Sequence, residues 1–159
     1  MNFVFKEANF RFSAEAGRNE GILRPFLGGA LGVEEIIICG HTRCGALKGV
    51  FDGIDATQFP HVAKWVEPIA KERAMHPEVS DPEEFGKIHV VEQARNILTY
   101  PIVRKKISQG QVRVHCWIYD VTKGEFLEWT GKGFEFVPVG PHSLHRNIQE
   151  LLEPSQSDY

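Results

Sequence analysis

His41-Thr42-Arg43-Cys44-Gly45 holds the side chains of this sequence best suited to chemistry. An imidazole and a thiolate three positions apart can face one cation across a tight turn, and zinc accepts such mixed nitrogen and sulfur ligation. The pair by itself is weak evidence for a metal site, and its plainer reading is a satisfied histidine and a buried thiol at a strand end. Cys39 lies two residues before His41, so the two share one face of an extended segment. It is either a substitute ligand or a core residue. His142 and His145 have ligand-like spacing without other support and read as solvated surface. His61, His76, His89 and His115 stand singly and read as structural or surface residues. Asp52, Asp55, Glu67, Glu72, Glu83 and Glu84 form no catalytic pair by spacing and read as caps and solvated faces. Trp65, Trp117 and Trp129 read as core aromatics.

The turn needs elements to position it. Ile36-Ile37-Ile38, bounded by Gly32 and the Glu34-Glu35 pair, reads as a strand buried on both faces, as in a parallel sheet. His41 then falls just past the carboxyl end of a strand, where open α/β sheets build their sites. Upstream, Phe3 to Phe5 is a short strand. Ile22, Leu23, Phe26, Leu27, Ala30 and Leu31 recur at helical spacing, with Pro25 tolerable only in a first turn. Downstream, Pro60 to about Met75 carries Val62, Trp65, Val66 and Ile69 at helical spacing, with a kink at Pro68. Asp81-Pro82-Glu83-Glu84 is a helix start: an acceptor at the N-cap, proline at the first helical position, and Glu84 where a capping box needs it. Phe85, Ile88, Val91 and Leu98 supply that helix's apolar stripe. Tyr100-Pro101 marks a break, and Ile102 to Ser108 a shorter helix ending near Gly110. Val112 to Asp120 alternates like a strand, Thr122-Lys123-Gly124 is a turn, and Glu125 to Trp129 returns as a hairpin. Phe134 to Val139 adds an edge strand. Strands with intervening helices argue an α/β fold with a mainly parallel sheet flanked by helices.

Composition bounds the function. A chain of 159 residues with 42% hydrophobic and 11% aromatic residues can bury a core, and reads as one globular domain over residues 1–152 with a polar tail over 153–159. A net charge of −3 and no run of basic residues argue against a broad nucleic-acid or anionic-membrane face. No stretch approaches the roughly 20 apolar residues of a membrane span, because Glu34 and Glu35 interrupt the longest candidate. The N-terminus lacks a basic region followed by an apolar core, so no secretory signal is expected. Cys39, Cys44 and Cys116 are a sparse, odd set that fits a reducing compartment. Cytoplasmic localisation follows as the expectation.

The segment Ile36-Ile37-Ile38-Cys39-Gly40-His41-Thr42-Arg43-Cys44-Gly45-Ala46 resembles the second zinc motif of β-class carbonic anhydrases. The helix carrying Val91, Gln93, Asn96 and Leu98 before Tyr100-Pro101 resembles the family's helix leading into a proline-initiated short one. Val114 to Asp120 with Thr122, Gly124 and Glu125 is similar to its late strand, usually His-Gly-Trp-x-Tyr-Asp, with Cys116 in place of the glycine. Phe3 to Asn9 looks like a degraded form of the strand that ends in Arg-Asn-Ala-Gly. These pieces keep the family's order over nearly the whole chain.

The resemblance implies the β-carbonic-anhydrase fold and the reversible hydration of carbon dioxide to bicarbonate. In the family, two cysteines and one histidine hold zinc, and His41 and Cys44 match two of the three. The other cysteine belongs to a Cys-x-Asp-x-Arg segment on a central strand upstream of the Phe3 strand, so the expected fold lacks the usual N-terminal helix and first central strand. The aspartate and arginine that manage the zinc-water proton go with it. An alternative alignment sets Glu7-Ala8-Asn9-Phe10-Arg11 on that segment, giving Glu7 for the cysteine and Asn9 for the aspartate, but keeps fewer identities than the Arg-Asn-Ala-Gly alignment. The expectations are therefore weak or substoichiometric zinc and a family activity impaired or lost in the isolated chain. A homodimer or higher oligomer is expected, with a complete family member as a second candidate partner. No residue is assigned a catalytic role. Two other readings stay open: an active enzyme with a replacement ligand or partner chain, and a non-catalytic binding or oligomerisation module.

Overall fold

A computed structural model describes residues 4–7, 32–133 and 135–139, the first segment as backbone. Strands β1 (Val4–Glu7), β2 (Glu35–His41), β3 (Arg113–Asp120), β4 (Glu125–Trp129) and β5 (Phe136–Pro138) form one sheet in that order. Helices α1 (Gly45–Asp52), α2 (Pro60–Ala74), α3 (Pro82–Leu98) and α4 (Pro101–Ser108) fill the crossover from β2 to β3. The first three strands run parallel and the last two antiparallel. The sheet is thus mixed: β2 and β3, joined by the helical crossover, run parallel, and β3 and β4, joined by a short turn, run antiparallel. Asp120 shapes that turn by accepting from the N–H groups of Thr122 and Lys123 at 2.9 and 3.2 Å, and Gly124 takes the left-handed φ of 70°. The helix expected over residues 22–31, His142, His145 and the tail over 153–159 lie outside the described residues.

One face of the sheet carries the core. Ile38 of β2, Val114, Cys116 and Ile118 of β3 and Trp129 of β4 pack against Val90, Val91, Ala94 and Ile97 of α3 and Val103 and Ile107 of α4. A second cluster ties Leu47 of α1 to Phe85 and Ile88 of α3, with Ile69 of α2 packed against it. The start of α3 agrees with its sequence signal, Asp81 accepting from the Glu83 N–H at 3.0 Å. Glu84, expected to complete a capping box, pairs instead with Lys87 at 2.6 Å, because the lysine one turn along the helix offers it a charged donor.

Several expectations change. β2 runs through His41, because His41 pairs with Tyr119 of β3 and the Thr42 N–H still donates to the Tyr119 carbonyl at 2.9 Å. Ile37 and Ile38 are buried, whereas Ile36 and Cys39 are half-buried. Val4–Glu7 lies directly beside β2, with Val4 against Ile36 and Glu7 against Cys39, so β1 closes the β2 edge. α1, which no sequence signal singled out, follows the site turn immediately. Trp117 and Trp129 are core residues at 8% and 5% exposure, but Trp65 is 38% exposed and lines a cleft.

β2 and α3 meet at Gly40, where a Cβ would lie 2.6 Å from Val90 Cγ2. Val90 is buried and β-branched on a helix, so it has no free rotamer to yield. Gly40→Ala is expected to destabilise the fold by about 1–3 kcal/mol, and adding Val90→Ala should recover part of that loss. Denaturant midpoints of the single and double variants check it; a neutral Gly40→Ala would mean that strand and helix separate easily.

Candidate zinc half-site

Four contacts shape the turn that carries His41 and Cys44. Thr42 is held twice, through its N–H on Tyr119 and through its hydroxyl oxygen, which accepts from the Val121 N–H at 3.0 Å. Arg43 adopts a φ of 55°, unusual for a side-chain-bearing residue, and its N–H donates to Glu83 Oε1 at 2.7 Å. The N-terminus of α3 therefore clamps the strained residue. Cys44 is the N-cap of α1, and its side chain makes no capping hydrogen bond. Its carbonyl accepts from the Lys48 N–H at 3.0 Å, which starts the helix.

The His41 ring has a defined tautomer. Nδ1 lies 2.9 Å from the Thr42 carbonyl oxygen, and a carbonyl can only accept, so Nδ1 carries the hydrogen and Nε2 keeps its lone pair. That is the arrangement of a metal-binding histidine, whose other nitrogen is engaged by a backbone oxygen. His41 and Cys44 line one cleft of about 420 Å³, together with Cys39, Trp65, Val90, Ile118 and the mouth residues Glu83, Glu84 and Lys87.

Zinc takes about three protein ligands and a water in a catalytic site. His41 and Cys44 fit two of those positions by donor chemistry and by the free atoms they present. Among the described residues, no group of three His, Cys, Asp or Glu side chains is placed to hold a metal. Cys39 lines the same cleft, but burial pushes its thiol up from the ordinary range, offset in part by a backbone hydrogen bond from Tyr119. Its sulfur donates to the Gly40 carbonyl at 3.3 Å. Cys116 sits in the core at 1% exposure, and burial raises its thiol further. Glu7 ends β1 in register with Cys39, at the same end of the sheet as His41.

Sequence reading missed a second feature of the cleft. Glu72, read as a solvated carboxylate, is buried at 8% exposure on α2. It accepts from His89 Nδ1 at 2.9 and 3.1 Å and from Gln93 Nε2 at 3.3 Å. His89 lines the cleft that His41 and Cys44 share. The pair is 17 residues apart on two helices, and no spacing rule joins such positions. The remaining single histidines divide as expected, His61 being exposed and His115 buried in a cluster of its own.

Residues 28–126 match the family model described as carbonic anhydrase. The chain belongs to the carbonic anhydrase family. Its class is β: the solved β-carbonic anhydrase CcaA is 28% identical with a TM-score of 0.62, covering 81% of this chain and 60% of that one. A carbonic anhydrase of Pseudomonas aeruginosa is 30% identical over 133 residues, 80% of this chain and 60% of that protein. The tetrameric β-carbonic anhydrases of Sordaria macrospora share the fold at 20% identity and a TM-score of 0.59, over 77% of this chain and 62% of theirs. This family member spans 60%, 53% and 47% of the lengths of three curated relatives. Among its described residues, no helix is long and apolar enough to cross a membrane.

Proposed function

We propose that this chain is an impaired β-class carbonic anhydrase, hydrating carbon dioxide reversibly at a zinc ion held by His41 and Cys44. The observation that carries the reading is the free Nε2 of His41, fixed by its Nδ1 bond to Thr42, in one cleft with the uncapped Cys44 sulfur. Zinc, when bound, acidifies water near neutral pH. The protein contributes a rigid turn, clamped by Tyr119, Val121 and Glu83, and apolar walls of Leu47, Ile69, Val90 and Ile118 suited to a small apolar gas. Weak, substoichiometric zinc follows from a donor set short by one thiolate, which removes both a bond and a negative charge.

A homodimer or higher oligomer belongs to the same reading, with a complete family member as the second candidate partner. The exposed apolar side chains of Phe59, the N-cap of α2, and of Val62 and Trp65 on α2 favour association, and the Sordaria relatives are tetrameric. A single domain over residues 1–152 with a polar tail, working in the cytoplasm, completes the proposal.

The test is carbon dioxide hydration by wild type, His41→Ala and Cys44→Ser, each alone, with excess zinc, and co-expressed with a complete β-class enzyme. Without added zinc the lone wild type should barely exceed buffer; excess zinc should raise it, and both substitutions should remove the gain. Robust activity of the lone wild type without added zinc, abolished by both substitutions, would instead reveal a complete site. Activity found only with the partner, and equal in all variants, would make the half-site vestigial.

A further inference from the structure

We propose that His89 is the proton-accepting group of the cleft and that Glu72 positions it, an inference that takes its substrate from the carbon dioxide reading above. Glu72 as a carboxylate can only accept, so the contacts at 2.9 and 3.1 Å place the ring hydrogen on His89 Nδ1. Nε2, on the opposite edge of the ring, keeps the lone pair and is the nitrogen left for the cleft that His89 lines. Two further contacts hold this arrangement. Gln93 Nε2 donates to Glu72 at 3.3 Å, and Gln93 Oε1 accepts from Asn96 Nδ2 at 3.2 Å, which fixes the amide. The imidazole stacks on Phe85, with ring centroids 6.2 Å apart and planes inclined by 24°, and Phe85 is fully buried. A carboxylate behind Nδ1, a fixed tautomer and a free Nε2 are what a general base requires.

The proton balance closes on this chain's own atoms. Water in the cleft first loses a proton: one O–H bond breaks, the proton goes to His89 Nε2, and the hydroxide left behind then bonds to the carbon of carbon dioxide to give bicarbonate, a step in which His89 takes no part. The resulting imidazolium is paired with Glu72 until buffer at the cleft mouth takes the proton. The other titratable groups of the cleft come from two places. Cys39, His41 and Cys44 belong to β2 and its turn; Glu83, Glu84 and Lys87 sit at the mouth. Glu83 is engaged by the Arg43 N–H and Glu84 by Lys87, so Glu72 is the carboxylate His89 meets directly.

Oxygen-18 exchange on the zinc-saturated full chain separates carbon dioxide–bicarbonate interconversion from the proton-dependent release of labelled water. His89→Ala should lower water release by about tenfold or more, leave interconversion within about twofold, and be rescued by imidazole in the buffer. Nitrogen-15 NMR should show the wild-type His89 ring as the Nδ1–H tautomer, and Glu72→Gln should release it to a mixture. Equal loss of both rates, no rescue by imidazole, or an Nε2–H tautomer overturns the inference while the carbon dioxide reading stands. A zinc-saturated wild type with no exchange at all overturns that reading, and this inference with it.

Discussion

After dialysis against a chelator and desalting, the wild-type chain should retain well under one zinc per molecule, recover zinc when it is added back, and lose that recovery in His41→Ala and Cys44→Ser. Removing only an outer-shell partner of a zinc ligand typically costs about 10–100-fold in affinity. Here a whole donor is wanting among the described residues, so the deficit should be larger. The effect is coupled to pH with a definite sign. Thiolate and neutral imidazole are the binding forms, protons compete with the metal, and zinc uptake should fall as pH is lowered. Metal analysis of the three proteins across pH decides the matter. Stoichiometric, chelator-resistant zinc in wild type would mean that a third ligand exists, and Cys39→Ser and Glu7→Gln are then the variants to make. Cys39 carries the raised thiol of a half-buried site; Glu7 stands next to it in register on β1.

The largest effect on stability should come from the opposite face of the sheet. His115 places Nε2 at 2.8 Å from Glu35 Oε2 and Nδ1 at 3.1 Å from Glu128 Oε1. All three residues are buried, at 3%, 5% and 2% exposure. Arg113 also pairs with Glu35, and Trp117 Nε1 donates to Glu128 Oε1 at 3.2 Å. Glu128 Oε2 has no hydrogen-bond partner among the described residues. A neutral imidazole donates from one nitrogen only, so two carboxylate contacts require a second shared proton in the cluster. His115→Leu removes the group between the two acids and leaves Glu128 buried with only the indole. Breaking a buried charged cluster in this way costs about 3–5 kcal/mol, which for a chain of this size lowers the melting temperature by roughly 10 °C. The double variant His115→Leu with Glu128→Leu should recover much of the loss, because it removes the stranded charge as well. Thermal unfolding of the two variants tests this. A His115→Leu protein within about 1 kcal/mol of wild type would show that the cluster is hydrated and contributes little.

What the sequence determined by itself is local. The isoleucine run sets β2, Asp81-Pro82 starts α3, Tyr100-Pro101 separates α3 from α4, and Asp120 to Gly124 closes the β3–β4 hairpin. The His41 to Cys44 spacing marks the site because its chemistry lies within one turn of chain. Each of these signals is carried by residues a few positions apart, where backbone geometry alone fixes what meets what. The tertiary structure decided the rest. Pairing of β1 directly with β2 depends on strand order, which periodicity does not encode. Glu72 and His89 meet because α2 packs beside α3, and Glu35, His115 and Glu128 meet because β2, β3 and β4 are neighbours in one register. A buried carboxylate looks like any surface acid in sequence. Only the packing of the elements around it removes its water and obliges it to find a partner.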